Sequence, residues 1–117
     1  MDKIELQKRT MRLALEIIKL TKLMPISQES KVITYQIIKS ATSTAANYRA
    51  ACRAKSRKDF VAKLGIVEEE CDETIFWLEL INEAKLIDNV IINPLINEST
   101  ILLSIIVASI KTASKGL

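Results

Sequence analysis

Residues Ser56 to Lys85, which read SRKDFVAKLGIVEEECDETIFWLELINEAK, decide the fold of this chain. Apolar side chains recur here at steps of three and four residues, the spacing of one face of an α-helix. The row consists of Phe60, Leu64, Val67, Cys71, Ile75, Leu78 and Ile81. Ser56 and Asp59 fit the Ser-x-x-acid pattern that caps a helix N-terminus. The pattern predicts a long amphipathic helix over residues 57–86.

Three further segments are predicted to be helical, over residues 3–24, 31–53 and 94–114. Pro25 ends the first, because proline cannot continue a helix. Ser30 is the expected N-cap of the second, and Asn93 followed by Pro94 is the expected start of the fourth. No segment alternates with a period of two, so no strand is predicted. The short breaks indicate one domain over residues 1–117, an antiparallel up-down-up-down four-helix bundle of the all-α class.

The fourth segment is apolar around most of its circumference between Ile101 and Ile110. Such a helix must be covered on more than one side, whereas a lone four-helix bundle leaves one side in water. Fully burying one large aliphatic side chain contributes ~1.5–3 kcal/mol, so we expect copies of the chain to associate through this helix. The expected interface residues are Trp77, Leu103, Val107 and Ile110.

Composition excludes several functional classes. The 117 residues are 49% hydrophobic and include only 2 Gly and 2 Pro, which excludes a disordered or collagen-like chain. No His is present, which removes His general bases and the usual zinc sites. Glu70 and Glu73 can share a helix face, but a solvated acidic surface is favoured over a catalytic pair. We predict no enzymatic activity, no cofactor, no metal and no small-molecule substrate.

Cysteine usage and hydropathy favour a reducing, aqueous compartment. Cys52 and Cys71 both lie in predicted helices, and a secreted disulfide scaffold usually carries more cysteine in a shorter chain. The charged N-terminus does not look like a signal peptide. The most apolar window, residues 101–110, is shorter than the ~20 residues that a membrane span needs. A cytoplasmic protein without membrane contact is expected.

Charge is divided unevenly along the chain. Residues 1–63 contain 14 Lys or Arg and 5 Asp or Glu, whereas residues 64–117 contain 3 and 9. A cluster of cations surrounds the predicted turn between the second and third helices: Arg49, Arg53, Lys55, Arg57 and Lys58. A second basic patch is predicted in the first helix, at Lys8, Arg9 and Arg12. Basic side chains at this density can bind phosphates.

Two functions remain open on these residues. The first is weak binding of RNA or DNA by phosphate neutralisation, multiplied by oligomerisation. The alternative is a protein–protein interaction scaffold that never touches nucleic acid. The basic turn also has a purely structural interpretation, in which its cations stabilise a helix C-terminus or attract the acidic half of the same bundle.

One stretch resembles a known family. It begins with QIIKSATSTAAN at residues 36–47 and continues through Arg49, SRKDF at 56–60, Lys63-Leu64, Asp72-Glu73 and WLEL at 77–80. These motifs are similar to those of the four helix bundle protein family, also called the bacterial ribosomal RNA intervening-sequence proteins. The resemblance extends over about residues 3–115.

The resemblance implies a homopentameric ring of short antiparallel bundles. The chain also looks like the accessory proteins of diversity-generating retroelements, whose pentamers bind nucleic acid and a reverse transcriptase through basic surfaces. Ser43, Asn47 and Glu73 match family positions and are expected to make structural polar contacts between the second and third helices. Many relatives read Asn-Ile-Ala-Glu-Gly where this chain reads NYRAA at residues 47–51, so the family's Glu at that position is absent.

Overall fold

The computed structural model describes residues Met1 to Leu117 and contains four α-helices and no strand. The helices are α1 (Lys3–Thr21), α2 (Gln28–Cys52), α3 (Arg57–Glu83) and α4 (Asn89–Ala113). The prediction of an all-α chain with four helices is confirmed.

The four helices pack side by side in chain order. Each helix contacts the next one, and α1 also contacts α4, although this last pair packs more sparsely. The loops between helices are short, so successive helices run in opposite directions and the molecule is elongated, 49 × 22 × 20 Å. The α2–α3 loop therefore lies at the same end of the bundle as the N-terminus of α1 and the C-terminus of α4.

The core consists of aliphatic side chains contributed by all four helices. The fully buried set includes Leu13 and Ile17 of α1, Ile37 of α2, Leu64 and Leu78 of α3, and Ile92 and Ile106 of α4. Most residues of the apolar row that predicts α3 are in this core, because helical spacing brings them to one face. In α1 the core row is Leu6, Leu13, Ile17 and Leu20, whereas Ile4, Met11 and Leu15 face outward.

Two helices begin earlier than predicted. The N-cap of α2 is Ser27 rather than Ser30, and its hydroxyl accepts a hydrogen bond from the Ser30 amide at 3.1 Å. The N-cap of α4 is Asp88, whose Oδ1 accepts from the Val90 amide at 3.0 Å. Pro94 therefore lies inside α4 and does not open it. Proline lacks the N–H that would bond the carbonyl four residues earlier, here Val90, which is 75% exposed on the solvated side of the helix.

Two helices end three residues earlier than predicted, and the other two end one residue earlier. Helix α1 ends at Thr21, so residues 22–24 belong to the loop before Pro25. Helix α3 ends at Glu83, and Lys85 adopts a left-handed backbone with φ of 55°. A left-handed residue directly after a helix turns the chain away from the helix axis, which explains why α3 does not reach residue 86.

The polar contact between α2 and α3 differs from the predicted one. Asn47 donates through Nδ2 to the Ser43 carbonyl in its own helix at 2.8 Å, and Glu73 is exposed. The buried contact that joins the two helices is between the hydroxyls of Ser40 and Thr74, whose oxygens are 2.9 Å apart. Ser43, Asn47 and Glu73 therefore do not make the predicted interhelical contacts.

Helix α4 is the most apolar surface element. By length and composition alone it could cross a membrane, with 22% of its apolar window buried inside the bundle. Ile92, Leu102 and Ile106 of α4 are fully buried in the core, whereas most of the other residues of this helix are accessible. Of the predicted interface residues, Leu103, Ile110 and Trp77 pack partly against the bundle's own core, and Val107 is 44% exposed.

Candidate nucleic-acid interface

The loop between α2 and α3 displays four cations that project from one end of the bundle. Arg53 is the C-cap of α2, with its backbone N–H bonded to the Ala50 carbonyl at 3.1 Å. Lys55, Arg57 and Lys58 follow it, and all four side chains are exposed. None of them takes part in a salt bridge. We call Arg53, Lys55, Arg57 and Lys58 the loop cations.

The one acidic residue in this turn, Asp59, forms a salt bridge with Lys63. Both Asp59 oxygens lie 2.7–2.8 Å from Lys63 Nζ, and Oδ2 also accepts from the Lys55 backbone amide at 3.3 Å. These hydrogen bonds, that from Lys63 first, hold the pKa of Asp59 below its ordinary value. Its backbone amide donates to the N-cap Ser56 hydroxyl at 3.0 Å. Asp59 thus pairs with Lys63 and also attracts Lys55, but it forms no salt bridge with any of the loop cations.

The chain ends bring further cations to the same end of the bundle. Lys3 Nζ stands 4.6 Å above the ring centroid of Phe60, a cation–π contact between α1 and α3. Lys3 and Arg57 line a depression of about 350 Å³ next to the α2–α3 loop. Lys111 and Lys115 are exposed at the C-terminal end of α4. The antiparallel topology predicted from the sequence implies this gathering, although the charge pattern alone does not reveal it.

Arg49 lies one turn before Arg53 and faces a groove between α1 and α2. The groove has a volume of about 570 Å³, and Lys8 and Arg12 of α1 also line it. Its apolar part comes from Met11, Ala14, Leu15, Ala45 and Ala46, and Gln7 and Thr42 complete the lining. No acidic residue lines this α1–α2 groove. The structure therefore joins the second basic patch to Arg49, a combination that linear spacing does not predict.

Arg9 does not belong to this surface. Its guanidinium donates to both carboxylate oxygens of Glu98 on α4, with Nε–Oε2 at 2.9 Å, and the bond to Glu98 raises the pKa of Arg9. The helical positions explain the difference, because Lys8 and Arg12 face α2 and Arg9 faces α4. Arg9 joins α1 to α4, the sparsest contact of the bundle.

The acidic stretch of α3 lies away from the loop cations. Glu70 is half-buried, and burial followed by repulsion from Glu73 raises its pKa. Glu73 accepts a hydrogen bond from the Trp77 indole N–H at 3.3 Å, and Phe76 meets Trp77 edge-on with ring centroids 4.9 Å apart. No group of three or more His, Cys, Asp or Glu side chains comes together in a way that fits a metal ion.

These features define a class of protein: a small antiparallel helical bundle with a cationic end and an acidic third helix. The family model of the 23S rRNA-intervening sequence protein matches residues 2–108, and the chain belongs to this family. The match confirms the resemblance found in the sequence. It covers nearly all of the four-helix bundle, including both basic patches.

One solved structure supports the same assignment. It is the crystal structure of a protein of unknown function from the S23 ribosomal protein family of Bacteroides thetaiotaomicron. The two sequences are 34% identical, and the match covers 91% of this chain and 98% of the other, with a TM-score of 0.84. No curated protein matches this chain.

Proposed function

We propose that this protein is a non-enzymatic bundle that binds RNA or DNA through the loop cations. The observation that carries the proposal is four adjacent exposed cations without a salt bridge, at an end that also holds Lys3, Lys111 and Lys115 and only Asp2 and Glu5 as further exposed acids near the start of α1. Arg and Lys neutralise phosphates without reading bases. Tyr48, the nearest tyrosine, is buried, so stacking on bases contributes little.

Self-association belongs to the same proposal. A single copy offers about four loop cations, which is a small electrostatic footprint for a polyanion. Copies assembled with their basic ends on one side repeat the footprint, and linked sites bind a long strand more tightly than separate ones. A homopentamer, which the family resemblance implies, repeats it five times, and we propose the cytoplasm as its location on the cysteine usage and hydropathy of the sequence.

Salt dependence tests the binding mode. A fluorescently labelled RNA strand, DNA strand and DNA duplex are titrated with the protein, and binding is followed by anisotropy. If about four phosphates are neutralised, affinity for the duplex should fall on the order of a hundredfold between about 50 and 200 mM salt. Affinity that does not change with salt, or no binding at the lowest salt, would overturn the proposal.

Charge reversal identifies the surface. Arg53→Glu with Arg57→Glu should abolish most of the binding. Arg53 caps the C-terminus of α2, where an acid is unfavourable, so Lys55→Glu with Lys58→Glu provides a second variant without that effect. Lys22→Glu with Lys31→Glu is the matched control, because these exposed lysines lie at the opposite end of the bundle and change the net charge equally. Equal losses in the control and the test variants would show that only net charge matters.

The alternative function is a protein-binding scaffold, for which a reverse transcriptase is one candidate partner. The exposed apolar side chains Ile4, Met11 and Leu15 on α1 and Phe76 on α3 favour it, because solvated aliphatic rows often mark protein contacts. Affinity capture from a lysate, with and without nuclease treatment, separates the two functions. Only a scaffold retains the same partners after nuclease treatment.

A further inference from the structure

Two surfaces of the bundle are complementary in both charge and polarity. The first is the α1–α2 groove, where Lys8, Arg12 and Arg49 surround an apolar floor without any acid. The second lies on the outer side of α3 and consists of Ile66, Glu69, Glu73 and Phe76, which we call the acidic stripe. Its four residues are exposed, and they follow one another at steps of three and four, so they share one helix face.

The acidic stripe itself contains no cation, and Lys63 is the last Lys or Arg of α3. Between residues 64 and 84 the chain contains no Lys or Arg. Next to the stripe, burial and then repulsion from Glu73 raise the pKa of Glu70, while Lys39 of α2 acts in the opposite direction. Ile66 is 44% and Phe76 54% exposed, so apolar surface is in contact with water at both ends of the acidic pair. A partner that supplies cations beside an apolar floor would balance the negative charge and would also cover the exposed apolar surface.

We propose that the acidic stripe of one copy binds in the α1–α2 groove of a second copy. Ala45 and Ala46 leave space above α2 for a bulky side chain such as Phe76. Met11 and Leu15, 49% and 51% exposed, cover it from the α1 side. Arg12 and Arg49 meet the Glu69 and Glu73 carboxylates. One side of the bundle, 49 Å by about 20 Å, is large enough for the roughly 800 Å² that each partner buries in a stable interface.

The charges restrict which surfaces of two copies can pair. Groove against groove brings three cations on each copy together, and stripe against stripe brings carboxylates together, so both self-paired arrangements are repulsive. The remaining arrangement joins the groove of one copy to the stripe of another, either twice in a reciprocal two-fold dimer or once, head to tail. Head-to-tail contacts close into a ring or continue as a filament, depending on the rotation between neighbours. The contact covers Arg49 and leaves the loop cations free for phosphates.

This inference rests on the proposed self-association. It places the contact between copies on the α1–α2 groove and the acidic stripe, and not on the outer side of α4, where the sequence predicts it. The mass of the purified protein without nucleic acid is measured by light scattering during size-exclusion chromatography. A wild-type chain that stays monomeric at micromolar concentration overturns both ideas. A wild-type oligomer that Val107→Glu dissociates, and that stripe variants leave intact, overturns only the face proposed here.

Charge exchange tests the pairing itself. Glu69→Lys with Glu73→Lys places cations opposite cations, and Arg12→Glu with Arg49→Glu places acids opposite acids. Each pair of substitutions should weaken association on the order of a hundredfold, because like charges then meet in the contact. A chain carrying all four substitutions should recover the wild-type mass. Circular dichroism verifies that every variant is folded.

Failure of that recovery would overturn the pairing of these two surfaces. Phe76→Ala tests the apolar part of the contact and should also reduce association. Val90→Ala is its matched control, because Val90 is 75% exposed on α4 outside both surfaces, and it should keep the wild-type mass. Equal masses for Phe76→Ala and the wild type would contradict the seating of Phe76 in the groove.

Discussion

The hydroxyl oxygens of Thr74 and Ser40 are 2.9 Å apart at the centre of the contact between α2 and α3. Both residues are buried, and Ser40 Oγ lies 3.2 Å from the Ile37 carbonyl of its own helix. Thr74 Oγ1 also lies 2.9 Å from the Glu70 carbonyl of its own helix, so each hydroxyl has both a carbonyl partner within its helix and the other hydroxyl across the contact. The short side chains of this region allow α2 and α3 to pack closely, and the shared hydrogen bond removes the cost of burying two hydroxyls.

Thr74→Val is expected to destabilise the bundle by about 1 kcal/mol. Valine keeps the shape and branching of threonine, so the change removes the hydroxyl with little effect on packing. The measurement is the free energy of unfolding from urea titration. Thr42→Val is the matched control, because the Thr42 hydroxyl is half-buried and bonds only within α2, to the Ile38 carbonyl at 2.7 Å. If Thr42→Val lowered the free energy of unfolding as much as Thr74→Val does, the interhelical hydrogen bond would contribute no more than a bond within one helix.

Most of the fold is predictable from the sequence because helical periodicity controls it. The apolar row of α3 and the cap at Ser56 locate that helix to within three residues. Helix ends are harder to predict, since two signals compete at each. Pro94 is typical of a first helical turn, yet Asp88 caps α4 six residues earlier and the helix tolerates the proline. The chain offers both signals, and the earlier start brings Ile92 into the core as part of α4.

The candidate interface is less predictable than the fold, because it depends on which elements meet. The loop cations are adjacent in the sequence and are found by inspection. The pairing of Lys8 and Arg12 with Arg49 requires the rotation of α1 against α2. Likewise, two apolar rows are visible in α1, but periodicity alone does not say whether Leu13 or Met11 faces the core.

Glu98→Gln should lower stability by about 1 kcal/mol at low salt. The Arg9–Glu98 pair joins α1 to α4 through two hydrogen bonds, and both side chains are less than a third exposed. The substitution removes the charge and one acceptor oxygen. The difference from wild type in urea titrations should shrink in high salt, because screening weakens the pair in the wild-type protein.

The control for this ion pair is Glu16→Gln. Glu16 lies 3.5 Å from Lys19 on the surface of α1, with both side chains well exposed. Such exposed pairs contribute little, so this variant should match the wild type. If Glu98→Gln also left the free energy of unfolding unchanged, the contact between α1 and α4 would depend on apolar packing alone.

The two cysteines should differ sharply in reactivity. Cys71 is fully buried, its Sγ lies 3.5 Å from the Ser99 carbonyl, and burial raises its thiol pKa to about 12. Cys52 is half-buried near the basic end. An aromatic disulfide reagent should therefore modify one thiol per folded chain quickly and both thiols in denaturant. Cys52→Ser should abolish the fast reaction, and rapid modification of that variant would contradict the burial of Cys71.

Asp59 should titrate below its ordinary carboxyl pKa, and Lys63→Gln should move that pKa upward. The hydrogen bond from Lys63 is the main cause of the lowered value, followed by that from the Lys55 amide. Since the folded-state pKa lies below the unfolded one, Asp59 stabilises the folded chain above the unfolded pKa and loses this effect as pH falls through the folded pKa. NMR titration of the Asp59 carboxyl carbon measures the shift directly. Lys58→Gln is the control, because the Lys58 side chain does not contribute to the lowered pKa of Asp59, and a pKa raised equally by both substitutions would contradict the assigned cause.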